Sequence, residues 1–346
     1  MRIVTHNING IRAADKRGFR DWLAASGADV VALQEVRARP ADVPAGVFGD
    51  YFATYSPGRM AGRNGVALLT RRPPVQAFAW APGDELVHWA PGSGDSLFDD
   101  TGETATQPPV TGIDNEFAHE GRLVGVELAD APLTVVSVYV PKGGVPQEVA
   151  PKAAGGRDGY TPEQNEARYR RKMAFLTQLS TELDALRAAR RPDSGTAVAG
   201  RHLLVLGDFN IAHGPADVSN WRTNLASEGF LPAERAWMDA AIGPDPSATR
   251  LDGKKIAAPT LTWRAHEHPL VDVMRALHAH DDGPYSWWSW RGQAFTKDVG
   301  WRIDYHLASP ELAGLAEAAW IDRAPDYDSR VSDHAPVFAD YRLSQA

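Results

Sequence analysis

A short aliphatic run that ends in polar side chains is the feature that most constrains this chain. Residues 203–206 read Leu-Leu-Val-Leu and lead directly into Gly207, Asp208 and Asn210. A run this apolar is typical of a strand that is covered on both faces, as in sheets flanked by helices. In open α/β sheets, ligands bind at the ends of such strands. The sequence therefore predicts an α/β protein with functional groups at one end of a sheet.

The same arrangement recurs along the chain. Other strand-like runs end at further polar residues, namely Asn7, Glu35, Tyr139, Asp304 and the pair Asp333-His334. Helical patterns lie between the runs, and the longest covers residues 163–190, where apolar residues recur at helical spacing. Because the polar ends come from both halves of the chain, we expect one site in a single domain that spans residues 1–346.

The other face of the long helical pattern is basic. It carries Arg168, Arg170, Arg171 and Lys172. A run of like charges on one side of a helix is usually exposed to water, so we expect a solvated helix face here.

Composition narrows the class of protein. The chain has no cysteine, which excludes disulfides, iron–sulfur clusters and thiolate zinc sites. No apolar run approaches the roughly 18 residues that a membrane helix needs. A strand pattern follows Met1 directly, so we expect no signal peptide and a cytoplasmic location. The formal net charge of −8 disfavours unspecific binding to nucleic acid, but basic residues that follow the candidate site strands leave DNA open as a partner.

Three segments have the composition of surface loops. Residues 82–120, 191–201 and 244–268 are rich in Gly, Pro, Asp and Thr and lack sustained periodicity. Loops of this length either carry function or are mobile. We expect all three to be surface insertions on the single domain.

The polar strand ends form an oxygen-rich set that contains one histidine. Its members are Asn7, Glu35, Asp208, Asn210, Asp304, Asp333 and His334. Hard cations such as Mg²⁺ prefer oxygen ligands, whereas zinc would need more His or Cys. The set therefore indicates Mg²⁺ or Mn²⁺ and phosphoryl chemistry, in which a carboxylate takes a proton from water. A buried Asp beside the His would orient the imidazole and favour its charged form.

These residues occur within a series of motifs. The motifs are Asn-Ile-Asn-Gly-Ile-Arg at 7–12, Leu-Gln-Glu at 33–35, Tyr-Val-Pro at 139–141, Gly-Asp-Phe-Asn at 207–210, Gly-Trp-Arg-Ile-Asp at 300–304 and Ser-Asp-His at 332–334. In this order they resemble the exonuclease III family of abasic-site endonucleases, over nearly the whole chain. The segment 9–12, the tryptophan-rich tract 285–290 and Asp-Val-Ser-Asn at 217–220 favour this family over the phosphatases and sphingomyelinases of the wider superfamily. The resemblance implies a four-layer αββα sandwich of two packed mixed β-sheets flanked by helices.

The resemblance also implies how the site works. Glu35 would bind the metal ion, with Asn7 and Asp333 completing its coordination. Asp208 would activate the attacking water.

Further residues would act on the phosphate. Asn210 and Tyr139 would hold the scissile phosphate, and His334, oriented by Asp304, would stabilise the pentacoordinate state. The residues implied to bind DNA are Trp287 and Trp301, which would line the pocket for a flipped-out abasic sugar, and Arg12, Lys16, Arg17 and Asn224, which would contact phosphates.

Some positions depart from the family pattern. Lys142 stands where the family more often has Asn or Gln beside the phosphate, so we expect it to bind substrate and to raise phosphate affinity or alter substrate preference. His6 replaces a Trp, and Arg37 replaces a Lys; we expect both changes to be tolerated.

The sequence thus predicts a metal-dependent DNA repair nuclease that hydrolyses the phosphodiester 5′ to abasic sites, with 3′–5′ exonuclease and 3′-phosphodiesterase activities as further expectations. Its partner would be double-stranded DNA with abasic or 3′-blocked lesions, and we expect a monomer that does not bind membranes. Two alternatives stay open: a phosphoinositide or phospholipid hydrolase of the same superfamily, and a catalytically silent DNA-binding module.

Overall fold

A computed structural model of the chain describes residues 1–60, 62–80, 85–92, 105–106, 116–149, 159–253, 261–279 and 281–343. Its strands and α-helices, in chain order, are β1 (Arg2–Asn7), α1 (Ile11–Lys16), α2 (Phe19–Ala25), β2 (Val30–Gln34), β3 (Phe52–Ser56), β4 (Val66–Thr70), β5 (Gln76–Ala79), β6 (Val87–Trp89), β7 (Ala105–Thr106), β8 (Leu123–Glu127), β9 (Leu133–Tyr139), α3 (Pro162–Arg190), β10 (His202–Asp208), α4 (Pro232–Ile242), β11 (Val271–Asp272), α5 (Val273–Leu277), β12 (Asp304–Ala308), α6 (Pro310–Ala313), β13 (Ala316–Ile321) and β14 (Val337–Tyr341).

The strands form two seven-stranded sheets. The first has the order β13-β14-β1-β2-β4-β3-β6, and the second has the order β11-β12-β10-β9-β8-β5-β7. Both sheets are mixed, because β1 pairs parallel with β2 but antiparallel with β14, and β10 pairs parallel with β9 but antiparallel with β12. The parallel pairs β1–β2 and β9–β10 lie near the middle of their sheets, and a third parallel pair, β5–β7, lies at the edge of the second sheet.

Three apolar cores separate four layers. The central core lies between the sheets, where Val30 and Leu68 of the first sheet pack with Val126 and Leu204 of the second. Helices α1 and α2 cover the outer face of the first sheet, and α3 and α4 cover the outer face of the second. The expected αββα sandwich is therefore confirmed.

The long helix begins one residue before its predicted start. Thr161 and Gln164 form a capping box at its N-terminus, with Gln164 N donating to Thr161 Oγ1 at 3.2 Å and Thr161 N donating to Gln164 Oε1 at 2.8 Å. The predicted solvated basic face is wrong at one position, because Lys172 is fully buried. Its ammonium group has partners inside the protein, which the spacing of charges along the helix does not reveal.

The predicted loop segments contain some regular structure. Strand β6 falls within 82–120 and adds an edge strand to the first sheet beside β3. Val87 and Trp89 point into the protein, but a strand of three residues is too short for alternation to stand out in the sequence. Parts of the 82–120 and 244–268 segments lie outside the described residues. Of the helices described, none combines the length and the apolar character needed to cross a bilayer.

Candidate active site

Strand register brings the predicted polar residues to the same end of both sheets. Asn7 pairs with Gln34 at the ends of β1 and β2, and Glu35 follows directly. In the second sheet, Asp208 lies between Tyr139 of β9 and Asp304 of β12. The site is therefore built where the strands of the two sheets end together.

Two of these residues have an unusual backbone conformation. Glu35 has a φ of 53° and Asn210 a φ of 51°, both in the left-handed region. Few residues other than glycine adopt this region, and residues that do are enriched at functional sites. Both residues directly follow a buried strand, and both side chains stay bonded to groups at the strand ends, Glu35 to Asn7 and Asn210 to Asp208.

Asn7 connects the carboxylates of the two sheets. Its side chain is fully buried, and Nδ2 donates to Glu35 Oε1 at 3.0 Å and to Asp208 Oδ2 at 2.9 Å. Its Oδ1 accepts from Asn9 N at 3.1 Å, which fixes the orientation of the amide. One amide group thus sets the distance between a carboxylate of the first sheet and a carboxylate of the second.

Asp208 is held by the turn that follows it. The backbone N–H of Asn210 donates to Asp208 Oδ1 at 2.8 Å, and Asn210 Nδ2 donates to Asp208 Oδ2 at 3.2 Å and to Val140 O at 2.9 Å. The contacts to both carboxylate oxygens leave Asp208 little rotational freedom. Asn210 therefore orients the carboxylate in addition to facing the site itself.

His334 and Asp304 form a buried pair. His334 Nδ1 lies 2.9 Å from Asp304 Oδ2, and the same oxygen accepts from Ser286 Oγ at 2.6 Å. Ser286 Oγ in turn accepts from the backbone N–H groups of Ile303 and Asp304 at 3.1 and 3.2 Å. His334 Nε2 lies 3.9 Å from Asp208 Oδ2. That separation is too long for a hydrogen bond, so the Nε2 side of the ring can meet another group.

Burial and charge shift the protonation of this cluster. Burial, together with the charges of Asp304 and Glu35, raises the pKa of Asp208 to about 8, although His334 opposes the rise. Burial acts to lower the pKa of His334, but Asp304 and Asp208 outweigh it and raise that pKa to about 10. Burial and the nearby charges of Glu35 and Asp208 raise the pKa of Tyr139 well above its usual value, so the phenol keeps its proton. Asp208 thus binds a proton more tightly than an exposed aspartate does, and His334 is positively charged at neutral pH.

Asp333 and the predicted tryptophans form the next part of the rim. Asp333 accepts from Asn9 Nδ2 at 2.8 Å and from Trp287 Nε1 at 3.1 Å. Trp287 and Trp301 exchange backbone hydrogen bonds of 2.8 and 2.9 Å, and their rings meet edge to face with centroids 6.4 Å apart. Both side chains are half-buried beside the apolar cluster around Phe230. They form an aromatic wall adjoining the polar cluster.

A profile of the Endonuclease/Exonuclease/phosphatase family matches residues 4–334 of this chain. The chain belongs to that family. An exodeoxyribonuclease of Bacillus subtilis (strain 168) is 25% identical over 97% of this chain and 98% of its own length. The DNA repair nuclease APEX1 of Danio rerio is 25% identical over 97% of this chain and 81% of its own length. Among solved structures, an AP endonuclease from Archaeoglobus fulgidus has the same fold, with a TM-score of 0.66 at 21% identity over 99% of both chains.

The acidic cluster of this family member has the chemistry of a metal site. Candidate ligand atoms of Asp208, Asp304 and His334 lie within 4.8 Å of one another. The Asn7 amide links Glu35 to this group. The nearby cations are His334 and Arg37, and Arg37 forms an ion pair with Glu35. Carboxylates outnumber these two cations. Asp304 Oδ1 is buried and has no hydrogen-bond partner. An excess of buried oxygen ligands fits a hard divalent cation.

The residues predicted to contact DNA lie apart from this buried cluster. Arg12 and Lys16 are exposed on α1, and Arg17 is exposed directly after it. Lys142 is exposed after β9, and its Nζ lies 3.7 Å from a carboxylate oxygen of Glu228. Asn224 is half-buried, and its Nδ2 donates to Asn220 O at 2.9 Å. A role in DNA binding remains a prediction for all of them.

The sequence reasoning missed the role of Ser286, and it named Asn9 and Arg37 without predicting their contacts at the site. Ser286 orients Asp304, Asn9 holds Asp333, and Arg37 Nη1 donates to Asn9 Oδ1 at 2.6 Å. Ser286 could have been noticed as the one small hydroxyl residue among the bulky aromatics of the 285–288 tract. Lys172 carries no such local signal, because its partners lie far away in the sequence.

Proposed function

We propose that this protein is a metal-dependent DNA repair nuclease that hydrolyses the phosphodiester bond 5′ to an abasic site in double-stranded DNA. The observation that carries the proposal is the Asn7 amide, which holds Glu35 and Asp208 together opposite the His334–Asp304 pair. Its similarity to an exodeoxyribonuclease, a DNA repair nuclease and an AP endonuclease supports DNA as the substrate.

Glu35 and Asn7, with Asp333, would hold the metal ion beside the group of Asp208, Asp304 and His334, which we assign to the proton transfers and to phosphate stabilisation. We expect Mg²⁺, with Mn²⁺ as a substitute. When bound, such an ion neutralises phosphate charge and positions the phosphate for in-line attack. Its positive charge also favours the ionised form of a neighbouring carboxylate such as Asp208.

Asp208 accepts a proton from the attacking water. Its raised pKa makes it a stronger base than an exposed aspartate, and its two contacts with Asn210 keep it oriented. The base and the reacting water need this fixed geometry, because misplacement costs rate.

His334 stabilises the pentacoordinate phosphate. Its Nδ1 is engaged by Asp304, so Nε2 carries the proton that faces the site. A charged imidazole donates a stronger hydrogen bond to a developing oxyanion than a neutral one does. Tyr139 would add a donor to the phosphate, and Asn210 would hold the phosphate once the N–H that now bonds to Asp208 Oδ2 turns toward it. Trp287 and Trp301 would receive the abasic sugar.

Incision of a duplex with a central tetrahydrofuran abasic analogue tests the proposal. We expect one product, cut 5′ to the analogue, in the presence of Mg²⁺ or Mn²⁺ and none with EDTA. Asp208→Asn should lower kcat by about 10²- to 10⁴-fold, as expected for loss of a general base, while duplex affinity stays near that of the wild type. Asp252→Asn, at an exposed position, is the matched control and should leave the rate unchanged.

The absence of cleavage with either ion would refute the proposal. Tight metal-free binding without cleavage would favour a DNA-binding module instead, and release of a phosphoinositide headgroup would favour the lipid hydrolase. Duplexes with recessed and with 3′-blocked ends extend the assay to the 3′–5′ exonuclease and 3′-phosphodiesterase activities. A monomeric state and a cytoplasmic location remain predictions.

A further inference from the structure

A cavity of about 240 Å³ adjoins the segment that carries Asp333 and His334. Its walls come from the connection between α1 and α2, from the chain around Trp288 and Phe295, and from the loop between β13 and β14. His334 is the one lining residue that also belongs to the acidic cluster, and neither Trp287 nor Trp301 lines the cavity. The cavity is therefore a second concave site that shares the His334 wall with the candidate active site.

The cavity concentrates positive charge. Its lining residues with ionisable side chains are Arg17, Arg323, Arg330 and Asp322, together with His6 and His334. This excess of guanidinium groups is notable because the whole chain has a formal net charge of −8. Clefts lined by one sign of charge attract ligands of the opposite sign.

Arg330 forms no ion pair with a carboxylate among the described residues, although Asp333 and Tyr327 lie near enough to favour its charged form. The residue is 3% exposed, and its Nε and Nη2 atoms lack hydrogen-bond acceptors, while Nη1 donates only to Trp288 O at 3.4 Å. Its guanidinium lies against the rings of Trp290, Phe295 and Tyr327, with distances of 4.0, 4.5 and 4.5 Å to their centroids. Buried donors of this kind are normally satisfied by ordered water or by a ligand.

The other lining charges do not neutralise Arg330. Asp322 accepts a hydrogen bond from Trp22 Nε1 at 3.3 Å. Arg323 Nη2 donates to Phe295 O at 2.6 Å, and Arg323 Nε lies 3.7 Å from Asp298 in an exposed pair. Asp326 and Asp328 occupy the same loop but do not line the cavity. The interior of the cavity thus keeps uncompensated positive charge.

The walls between these charges are apolar and aromatic, with Trp22, Trp288 and Phe295 contributing. We propose that this cavity binds a mononucleotide, with its phosphate on the arginines and its base against the rings. Guanidinium groups match phosphate oxygens in geometry and charge, and aromatic side chains stack on bases. Other ligands that combine an anionic group with an aromatic ring would fit the same chemistry. We choose a nucleotide among them on the basis of the proposed function, because a nuclease binds and releases nucleotides.

Calorimetric titration of the full chain with dAMP in EDTA tests this site. Without a divalent ion the acidic cluster repels phosphate, so binding should report the cavity. We expect saturable binding in the range of about 1 mM or tighter. Binding should weaken at least tenfold when deoxyadenosine or inorganic phosphate replaces dAMP, because each lacks half of the recognised groups.

Substitutions locate the ligand. Arg330→Met should weaken dAMP binding at least tenfold, and Arg323→Met, at a more exposed position that tolerates change, should weaken it severalfold. Arg72→Met is the matched control, because it removes an exposed guanidinium at the opposite end of the first sheet, and it should have no effect. Absence of saturable binding, or equal binding by the wild type and by both cavity variants, would overturn the proposal.

The nucleotide can come from two sources, which a second titration separates. In the presence of saturating undamaged duplex, retained dAMP binding identifies a free mononucleotide as the ligand. Loss of dAMP binding, together with weaker duplex binding by Arg323→Met, identifies a nucleotide of the bound strand. The incision assay on the same preparation keeps the two proposals apart, since an active nuclease that fails to bind dAMP contradicts only the cavity site.

Discussion

The buried pair Lys172–Glu234 gives the sharpest prediction about how the fold supports the site. Lys172 Nζ donates to Glu234 Oε1 at 2.6 Å, to Asn210 O at 2.8 Å and to Lys142 O at 3.3 Å. Both side chains are fully buried. The ammonium group of α3 therefore ties together the two loops that leave β9 and β10 at the site.

The cost of removing this ammonium group follows from what it leaves behind. In Lys172→Met, the Glu234 carboxylate keeps one hydrogen bond, from Leu231 N at 2.9 Å, and two loop carbonyls lose their donor. Removing one partner of a buried ion pair costs about 3–5 kcal/mol. Burial raises the pKa of Glu234, so proton uptake by the carboxyl limits the loss. We expect the free energy of unfolding to decrease by about 3 kcal/mol. The total for a folded protein is typically about 5–15 kcal/mol, so the variant should still fold.

Urea unfolding followed by tryptophan fluorescence measures this loss. The double variant Lys172→Met/Glu234→Gln should recover about 1 kcal/mol or more, because no uncompensated charge remains. Lys297→Met, at an exposed position, is the control and should change stability by less than about 0.5 kcal/mol. A loss below about 1 kcal/mol in Lys172→Met, or no recovery in the double variant, would refute the reasoning.

Further predictions concern pH, backbone and catalysis. Burial lowers the pKa of His306 to about 4. Between pH about 6.5 and 4 the unfolded chain therefore binds more protons than the folded protein, and stability falls as the pH drops through that window. In urea unfolding at a series of pH values, His306→Gln should remove about 2–3 kcal/mol of this pH dependence. Gly207 has a φ of 142°, and a Cβ there would lie 2.0 Å from the carbonyl oxygen of the neighbouring strand, so Gly207→Ala should cost more than about 3 kcal/mol. Gly200→Ala, where the space is open, is the matched control and should cost less in the same unfolding assay. Ser286→Ala removes the 2.6 Å hydrogen bond to Asp304 and should lower kcat about tenfold with little change in KM, and an unchanged kcat would contradict its positioning role.

The sequence predicts strands and long helices well where one physical signal dominates. The run 203–206 and the stripe of α3 are unambiguous, because burial on one or both faces requires an apolar pattern there. Strand β6 was missed since three residues give too little alternation. The burial of Lys172 could not be predicted, because it depends on Glu234 and on two carbonyls brought near only by the fold.

The candidate site was predictable in its membership and less so in its connections. Polar residues directly after apolar runs identify Asn7, Glu35 and Asp208, since such residues are otherwise rare at the ends of buried strands. The hydrogen bonds among them depend on how the two sheets pack, which no local pattern encodes. For that reason the role of Ser286 and the hydrogen bond from Asn9 to Asp333 were not predicted.

Polar contacts between the sheets restrain the position of one side of the site relative to the other. Two positions before Tyr139 on β9, Ser137 accepts a hydrogen bond from Gln34 Nε2 at 3.0 Å, and Gln34 Oε1 accepts from Thr5 Oγ1 at 3.1 Å. All three side chains are buried in a largely apolar interface, where an unpaired polar group would be costly. Sliding one sheet over the other would break these bonds together with those of Asn7. The polar layer beneath the site therefore fixes the relative position of the sheets, and with it the spacing of Glu35 and Asp208 on which the proposed chemistry depends.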